Sequence, residues 1–516
     1  MHAMTHPSSR HRSVLLLALT LLTIAPVWAF RYFPTTDGPS HLENAYILRH
    51  WFDQDQRYAG IYEINPEPVP NWFTHGALAL FMVAVPPLVA EKVLVTFLIL
   101  ALVVSMGILL RAMGRDHLFH LLLAFPLLYN FLLFMGFYNY MFSLAVMFFI
   151  LGTWWRRRHQ PLRWKFLLGL NLLFIFLYFC HIVSTVLALA SVLLLSALRD
   201  RLRLRRTLAL ALGLVPALVL PCYYLVSRGF HPFGDQPPAN WKHLFGLSVL
   251  ISHDLRSAHI GTALGVLFAV LCLHTLLRRR PFLRIEPGDG FAVLAFVFAL
   301  LYFLMPQNVS GGGYMRERLG LLPFLTILPW LTVKYWKPLK LLVGATAVSL
   351  TLLHLAFTTS RFGELNDRLD DFTTGIPHVE KNKTLLAMNF FEHVGVKKTR
   401  ICTFLHAIGY YGIATGAIGL DNYEANTDHF PLKYRRDRNP FLFIGPVEAP
   451  SGDIHPEAYP LPVDYILIRY PRDRLSDLHR FLRGHRAVRW IMAHYEPVCE
   501  KGFVWLLRRG EARWPP

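Results

Sequence analysis

The residues best suited to chemistry lie in one short run, Thr35-Thr36-Asp37-Gly38-Pro39-Ser40-His41-Leu42-Glu43-Asn44. Proline suits the first turn of a helix, so a helix starting near Pro39 would bring His41 close to Asp37, four residues before it. A carboxylate and an imidazole that converge can act as general base or bind a cation. On the plainer reading Asp37 only caps the helix. A divalent metal ion held by Asp37 and His41 is one use of the pair, and the spacing leaves it open.

Further polar groups fall between apolar runs. Gly136-Phe137-Tyr138-Asn139-Tyr140 links two of them, and His181 ends another. Polar groups at membrane depth are functional candidates because lipid burial is costly. A hydrogen bond to a neighbouring helix is the alternative for His181. Gly311-Gly312-Gly313-Tyr314-Met315-Arg316-Glu317-Arg318 places two guanidinium groups beside an apolar run. Guanidinium binds phosphate oxygens in bidentate fashion, so Arg316 and Arg318 are candidates for a lipid phosphate. The alternative is an ion pair with Glu317. Arg228, His231 and Lys242 are weaker candidates of the same kind.

The elements that must position these residues are largely apolar. The chain has 516 residues, of which 54% are hydrophobic and 16% charged, with a mean hydropathy of +0.37. Soluble domains carry about 25% charged residues. Val14–Phe30, Val93–Leu110, Phe166–Phe179 and Leu339–Phe357 are near the length that crosses a hydrocarbon core. The net charge of +19 does not point to nucleic acid. Its basic residues cluster between apolar runs: Arg10 and Arg12, Arg111 and Arg115, Arg156 to Lys165, Arg199 to Arg206, Arg278 to Arg284, and Lys334 to Lys340. That is the positive-inside pattern of cytoplasmic loops.

This pattern predicts a polytopic α-helical membrane protein with a cytoplasmic N-terminus and an uncleaved first span near 14–30. An outside loop follows over 31–72, then an apolar juxtamembrane or re-entrant piece over 73–89, broken by Pro86-Pro87. Further spans fall near 93–110, 118–135, 140–155, 166–180, 183–198, 207–226, 259–277, 291–305, 319–333 and 339–357, roughly eleven crossings in all. The membrane part is 1–358. Residues 359–516 form a C-terminal extracytoplasmic α/β domain, with strands at Arg400–Leu405, Tyr465–Arg469 and Phe503–Leu507 and helices at Thr384–Val394 and Leu475–Arg483. Cys402 and Cys499 lie in that domain and pair only if it sits in an oxidising compartment.

At this point the chain resembles the GT-C superfamily of integral membrane glycosyltransferases. The resemblance rests on Asp37 just after the first span and on the long first outside loop. It also rests on the run Ala90-Glu91-Lys92-Val93-Leu94 opening a span that ends in Leu109-Leu110-Arg111, and on the outside C-terminal domain. The Asp-Gly-Pro-Ser-His-Leu string is similar to that of uncharacterised bacterial members with an Asp-x-Pro-x-His loop. Gly38 stands where many members carry a second acidic residue. The resemblance implies inverting sugar transfer on the outer face of a bacterial inner membrane. The donor would be a polyprenyl-phosphate sugar and the acceptor a lipid, glycan or protein hydroxyl. It implies Asp37 as general base, with His41 and Glu43 orienting it or sharing a metal, and Arg316 or Arg318 stabilising the departing phosphate. Tyr138, Asn139, His181, Arg228 and His231 are further substrate-binding candidates. The rival readings are a transporter or flippase of a lipid-linked substrate, and a non-catalytic membrane assembly protein.

Overall fold

The computed structural model describes residues 7–53, 57–199, 204–278, 286, 288–389, 401–447, 454–469, 486–501 and 503–510. The chain forms two compact units. One contains 1–29, 95–133 and 137–360, and the other contains 30–94, 134–136 and 361–516. The sequence reading grouped 31–89 with the membrane part. In the structure this segment packs with the C-terminal region.

The first unit is built of apolar helices. Among the described residues four are long and apolar enough to cross a membrane: Pro87–Met113, Ile182–Arg199, Ala258–Arg278 and the helix beginning at Lys337. Leu204–Gly213 and Val215–Arg228, bent by 67° at Leu214, add a fifth if they count as one span. The expected eleven crossings therefore reduce to four or five by length and composition. The difference has local causes. The stretch expected as a span near 118–135 is a 3-10 helix, Arg115–Leu123, followed by short turns around Pro126 and a single helical turn at Phe131–Phe134. Residues 119–135 are buried, the condition under which irregular backbone is tolerated at membrane depth. The stretch near 319–333 is likewise broken into Met315–Gly320 and Leu322–Ile327, with Pro323 and Pro329 limiting each piece. Trp164–Cys180 and Asp289–Leu304 are apolar but shorter, at 17 and 16 residues.

The second unit is α/β. Its five-stranded sheet has the order β3-β2-β5-β7-β6. The strands are β2 (Thr384–Asn389), β3 (Ile418–Gly419), β5 (Tyr465–Arg469), β6 (Tyr495–Lys501) and β7 (Val504–Arg509). β2 runs parallel to β3 and β5, and β7 runs antiparallel to β5 and β6. The expected helix at Thr384–Val394 is thus a strand where it is described. A central strand covered on both faces reads as a continuous apolar run, which periodicity cannot separate from a buried helix. The strands expected at Tyr465–Arg469 and Phe503–Leu507 are present as β5 and β7. Residues 401–405 form turns instead of a strand, and Leu475–Arg483 lies outside the described residues. Cys402 and Cys499 are both unbridged thiols.

Residues 30–94 join this unit through a second, two-stranded sheet. In it β1 (Tyr62–Ile64) pairs antiparallel with β4 (Leu432–Tyr434), and the rings of Tyr62 and Tyr434 stack at 4.9 Å. Tyr58, Ile61, Leu386, Met388, Ile466 and Ile468 share the resulting core. Burying a side chain of this size contributes roughly 1.5–3 kcal/mol, so Tyr58 and Ile61 tie the first loop to the sheet. The helices that carry the candidate residues sit on this frame. They are α2 (Gly38–Arg49) and α3 (Trp72–Phe81), which follow α1 (Pro7–Trp28) and precede α4 (Pro87–Met113).

Backbone contacts fix the start of α2. Asp37 N–H donates to Met135 O at 3.0 Å, and Thr36 N–H donates to Phe134 O at 3.2 Å. Gly136 holds φ at +84°, and a Cβ there would stand 2.7 Å from Gly38 N. Gly136→Ala therefore combines a left-handed backbone with a collision against main chain. A loss of roughly 2–4 kcal/mol is expected, read as a lower melting temperature of the detergent-purified protein. An unchanged melting temperature would mean that the start of α2 moves freely.

Candidate metal and acid–base centre

The helix expected near Pro39 runs from Gly38 to Arg49 with Pro39 in its first turn. Asp37 occupies the N-cap position but makes no side-chain cap hydrogen bond. Thr35 Oγ1 takes that part, accepting from Gly38 N–H at 3.2 Å. The carboxylate of Asp37 instead lies 3.5 Å from His406 Nε2. The plainer reading of Asp37 as a cap is not what the geometry gives.

One turn into α2, His41 faces a buried polar cluster. Its Nε2 lies 3.0 Å from Gly136 O and its Nδ1 lies 2.7 Å from Glu424 Oε1. His75, from α3, places Nδ1 3.1 Å from Asn71 O and Nε2 2.6 Å from Glu424 Oε2. Asn44, one turn beyond His41, donates to Glu424 Oε2 at 3.0 Å and exchanges hydrogen bonds with Asn422. Relative exposure is 6% for Asp37, 3% for His41 and 0% for His75 and Glu424. The two imidazoles stand edge-to-face at 5.2 Å, and Phe430 covers both at 6.2 and 5.6 Å. The potential ligand atoms of His41, His75 and Glu424 all lie within 4.8 Å of one another.

Burial opposes charge throughout this cluster, and the partners decide which groups keep it. Burial works to raise the Glu424 pKa, but His41 and His75 outweigh it and hold the carboxyl well below its usual range. Burial works to lower that of His41, and Glu424 and then Asp37 turn the balance upward. Burial pushes His406 down to about 3, with Glu424 opposing the shift and His41 adding to it. The His406 ring stacks on Tyr423 at 4.3 Å.

The sign of the His406 shift sets a pH dependence. The folded pKa lies below the unfolded value, so the unfolded chain binds the extra proton. Stability is complete above pH 6.5 and falls as pH drops toward 3. The loss at pH 5 is about 2 kcal/mol. Among the described residues, Asp37, Tyr423, Glu424 and His41 are titratable groups that face or act on this ring. His406→Phe keeps the stack on Tyr423 and removes the proton site. Its melting temperature should fall less than wild type between pH 6.5 and 5, and an equal fall would assign the acid loss elsewhere.

Glu43 does not join the cluster. Two residues past His41, it leaves α2 on another face, where it accepts from Gly419 N–H at 3.3 Å. Cβ atoms on Gly412 and Gly419 would stand 2.6 and 2.9 Å from its Oε1, so both glycines make room for the carboxyl. Burial pushes Glu43 up to about 7. A role in orienting Asp37 is not supported by these contacts. The expected metal pair is also revised: His41 converges with His75 and Glu424, while Asp37 faces His406.

The other candidates belong to the first unit. Arg318 Nη1 lies 2.7 Å from His181 Nε2, and Arg318 Nε donates to Gly313 O at 3.2 Å. Its guanidinium lies over Phe137 and Tyr140, at 4.4 and 5.2 Å from the ring centroids. Tyr140 donates to Arg318 O at 2.6 Å. Arg316 bonds Met305 O and Pro237 O, and Glu317 accepts from Gln307 at 2.7 Å. Tyr138 and Asn139 are buried in the helix Tyr138–Arg157. Arg228 ends the helix Val215–Arg228, and the backbone of His231 bonds Ser310. The structure therefore groups Arg318, His181 and Tyr140, and ties Arg316 and His231 into neighbouring loops.

No protein-family model matches the chain, and no curated protein matches it.

Proposed function

We propose that this protein is an integral membrane glycosyltransferase that moves a sugar from a polyprenyl-phosphate donor to a hydroxyl acceptor, with Asp37 as general base. The observation that carries the reading is the disposition of Asp37. It follows the first apolar helix, is nearly buried, is not spent on capping its helix, and lies 3.5 Å from His406. A carboxylate so placed accepts the proton of the acceptor hydroxyl as that oxygen bonds to the anomeric carbon. The anomeric C–O bond to phosphate breaks with inversion, and its electron pair leaves on the polyprenyl phosphate. His406 is a positioning residue for the carboxylate. The apolar helices supply the membrane setting that a lipid-linked donor requires, at the inner membrane of a bacterium in this reading. Arg318, stacked on aromatic rings beside His181, is the group in the first unit suited to a lipid phosphate.

The test is complementation. In a strain lacking the protein, wild type and Asp37→Asn are expressed at equal levels, and membrane and surface glycans are compared by mass spectrometry. The reading expects a glycan that wild type restores and Asp37→Asn does not. Restoration by both removes Asp37 from catalysis and moves transport or assembly ahead.

A further inference from the structure

We propose that His41 Nδ1, His75 Nε2 and the Glu424 carboxylate form a binding site for one first-row divalent transition metal, with zinc as the reference ion. The argument starts from the nitrogens on the far side of each ring. His41 Nε2 lies 3.0 Å from the carbonyl of Gly136, and His75 Nδ1 lies 3.1 Å from the carbonyl of Asn71. A carbonyl only accepts, so both of these nitrogens carry hydrogen. In a neutral imidazole the other nitrogen then bears a lone pair. Those nitrogens, His41 Nδ1 and His75 Nε2, are the two that approach Glu424, at 2.7 and 2.6 Å.

Lone pairs cannot face carboxylate oxygens at such distances without a positive charge between them. Either protons on the rings or on the carboxyl supply it, or a metal ion occupies the convergence point. The first solution places charged rings where His75 and Glu424 are wholly buried, a costly arrangement. The second uses a fixture common at metal sites, in which a ligating histidine donates its remote N–H to a backbone carbonyl.

The donor set selects the class of ion. Two imidazoles and one carboxylate suit zinc, iron, cobalt or manganese better than magnesium or calcium, which prefer oxygen. Ligands about 2.0–2.1 Å from zinc lie roughly 3.3 Å apart in a tetrahedron, so loading requires the carboxylate to retreat by roughly half an ångström. Three protein ligands leave a fourth position open, the arrangement of sites that bind water or substrate. The ion would also pin α2, α3 and the turn at Glu424–Asn426 to one another.

The test uses the full chain in detergent, purified with a tag that lacks histidine, stripped with chelator and reloaded with zinc or cobalt(II). Elemental mass spectrometry after gel filtration is expected to read about one zinc per chain, and cobalt to give the visible bands of a low-coordinate site. His75→Gln and Glu424→Gln are each expected to weaken zinc by more than the roughly 100-fold that losing an outer partner costs. His494→Gln, at an exposed position, should retain it. If wild-type protein that elutes as folded holds none of zinc, cobalt, manganese or iron, the proposal is overturned and the cluster is held by protons. Retention of full affinity in both variants overturns it as well. Where a variant fails to fold, the wild-type stoichiometry and cobalt spectrum decide alone. Loading is read without any transfer assay, so its failure leaves the proposed reaction standing, and failure of the reaction leaves the metal site standing.

Discussion

Asp37→Asn should lower the rate of sugar transfer by about 10²–10⁴-fold while leaving the fold in place, the range that a positioned general base contributes. The amide has the size of the carboxylate and cannot take the acceptor proton. Its backbone makes contacts that the change leaves in place. Asp37 N–H donates to Met135 O and Asp37 O accepts from His41 N–H, each at 3.0 Å, and Thr35 supplies the side-chain cap. Asparagine keeps all three. The melting temperature is therefore expected to stay close to that of wild type while turnover collapses. Asp37→Glu keeps the carboxylate but displaces it by a methylene. It should recover part of the rate, because a misplaced base loses catalysis through geometry. Equal losses of rate and of stability in Asp37→Asn would show a structural residue.

Glu424→Ala is expected to have the largest effect on stability. Glu424 is an acidic group that His41 and His75 share, and it also accepts from Asn44. Removing the shared acid leaves whatever positive charge the cluster holds, ring protons or a bound ion, uncompensated in a buried site, a loss of about 3–5 kcal/mol. In a unit of this size that corresponds to about 6–20 °C in melting temperature. Glu424→Gln keeps the volume and an acceptor for Asn44, so a smaller loss is expected. Adding His41→Phe and His75→Phe to Glu424→Ala should cost less than the sum of the three separate changes, because the uncompensated groups leave together. Additive losses would mean that the three side chains do not act as one cluster.

What the sequence disclosed follows the range of the interactions. Asp37 and His41 are four residues apart, and Pro39 was enough to predict the helix that starts between them, but not that Asp37 would face His406 and His41 would face Glu424. His75 carries no such sign, being a lone histidine in the apolar run Trp72–Phe81. Glu424 follows Asp421-Asn422-Tyr423 in a polar stretch with no ligand spacing, and it reaches His75 across 349 residues. The β1–β4 pairing that places the first loop with the C-terminal strands is three residues long on each side, too short for periodicity to signal. The α/β character of the C-terminal region was legible in β5 and β7, whose apolar runs are short and bounded. β2 was not, because a strand covered on both faces lacks alternation. The count of crossings was overestimated because hydropathy alone does not register that the helices break near Pro126 and Pro323.

The central claim is that a sugar leaves a lipid phosphate at this protein, and release of polyprenyl phosphate tests it most directly. Purified wild type and Asp37→Asn, each in lipid nanodiscs, are incubated with a lipid extract containing polyprenyl-phosphate sugars and candidate acceptors. The free polyprenyl phosphate is followed by mass spectrometry. The account predicts release by wild type that depends on acceptor and falls by at least about 100-fold in Asp37→Asn. Folded wild-type protein that releases none from an extract of the strain whose glycan it restores, or an Asp37→Asn variant that releases it at the wild-type rate, would contradict it.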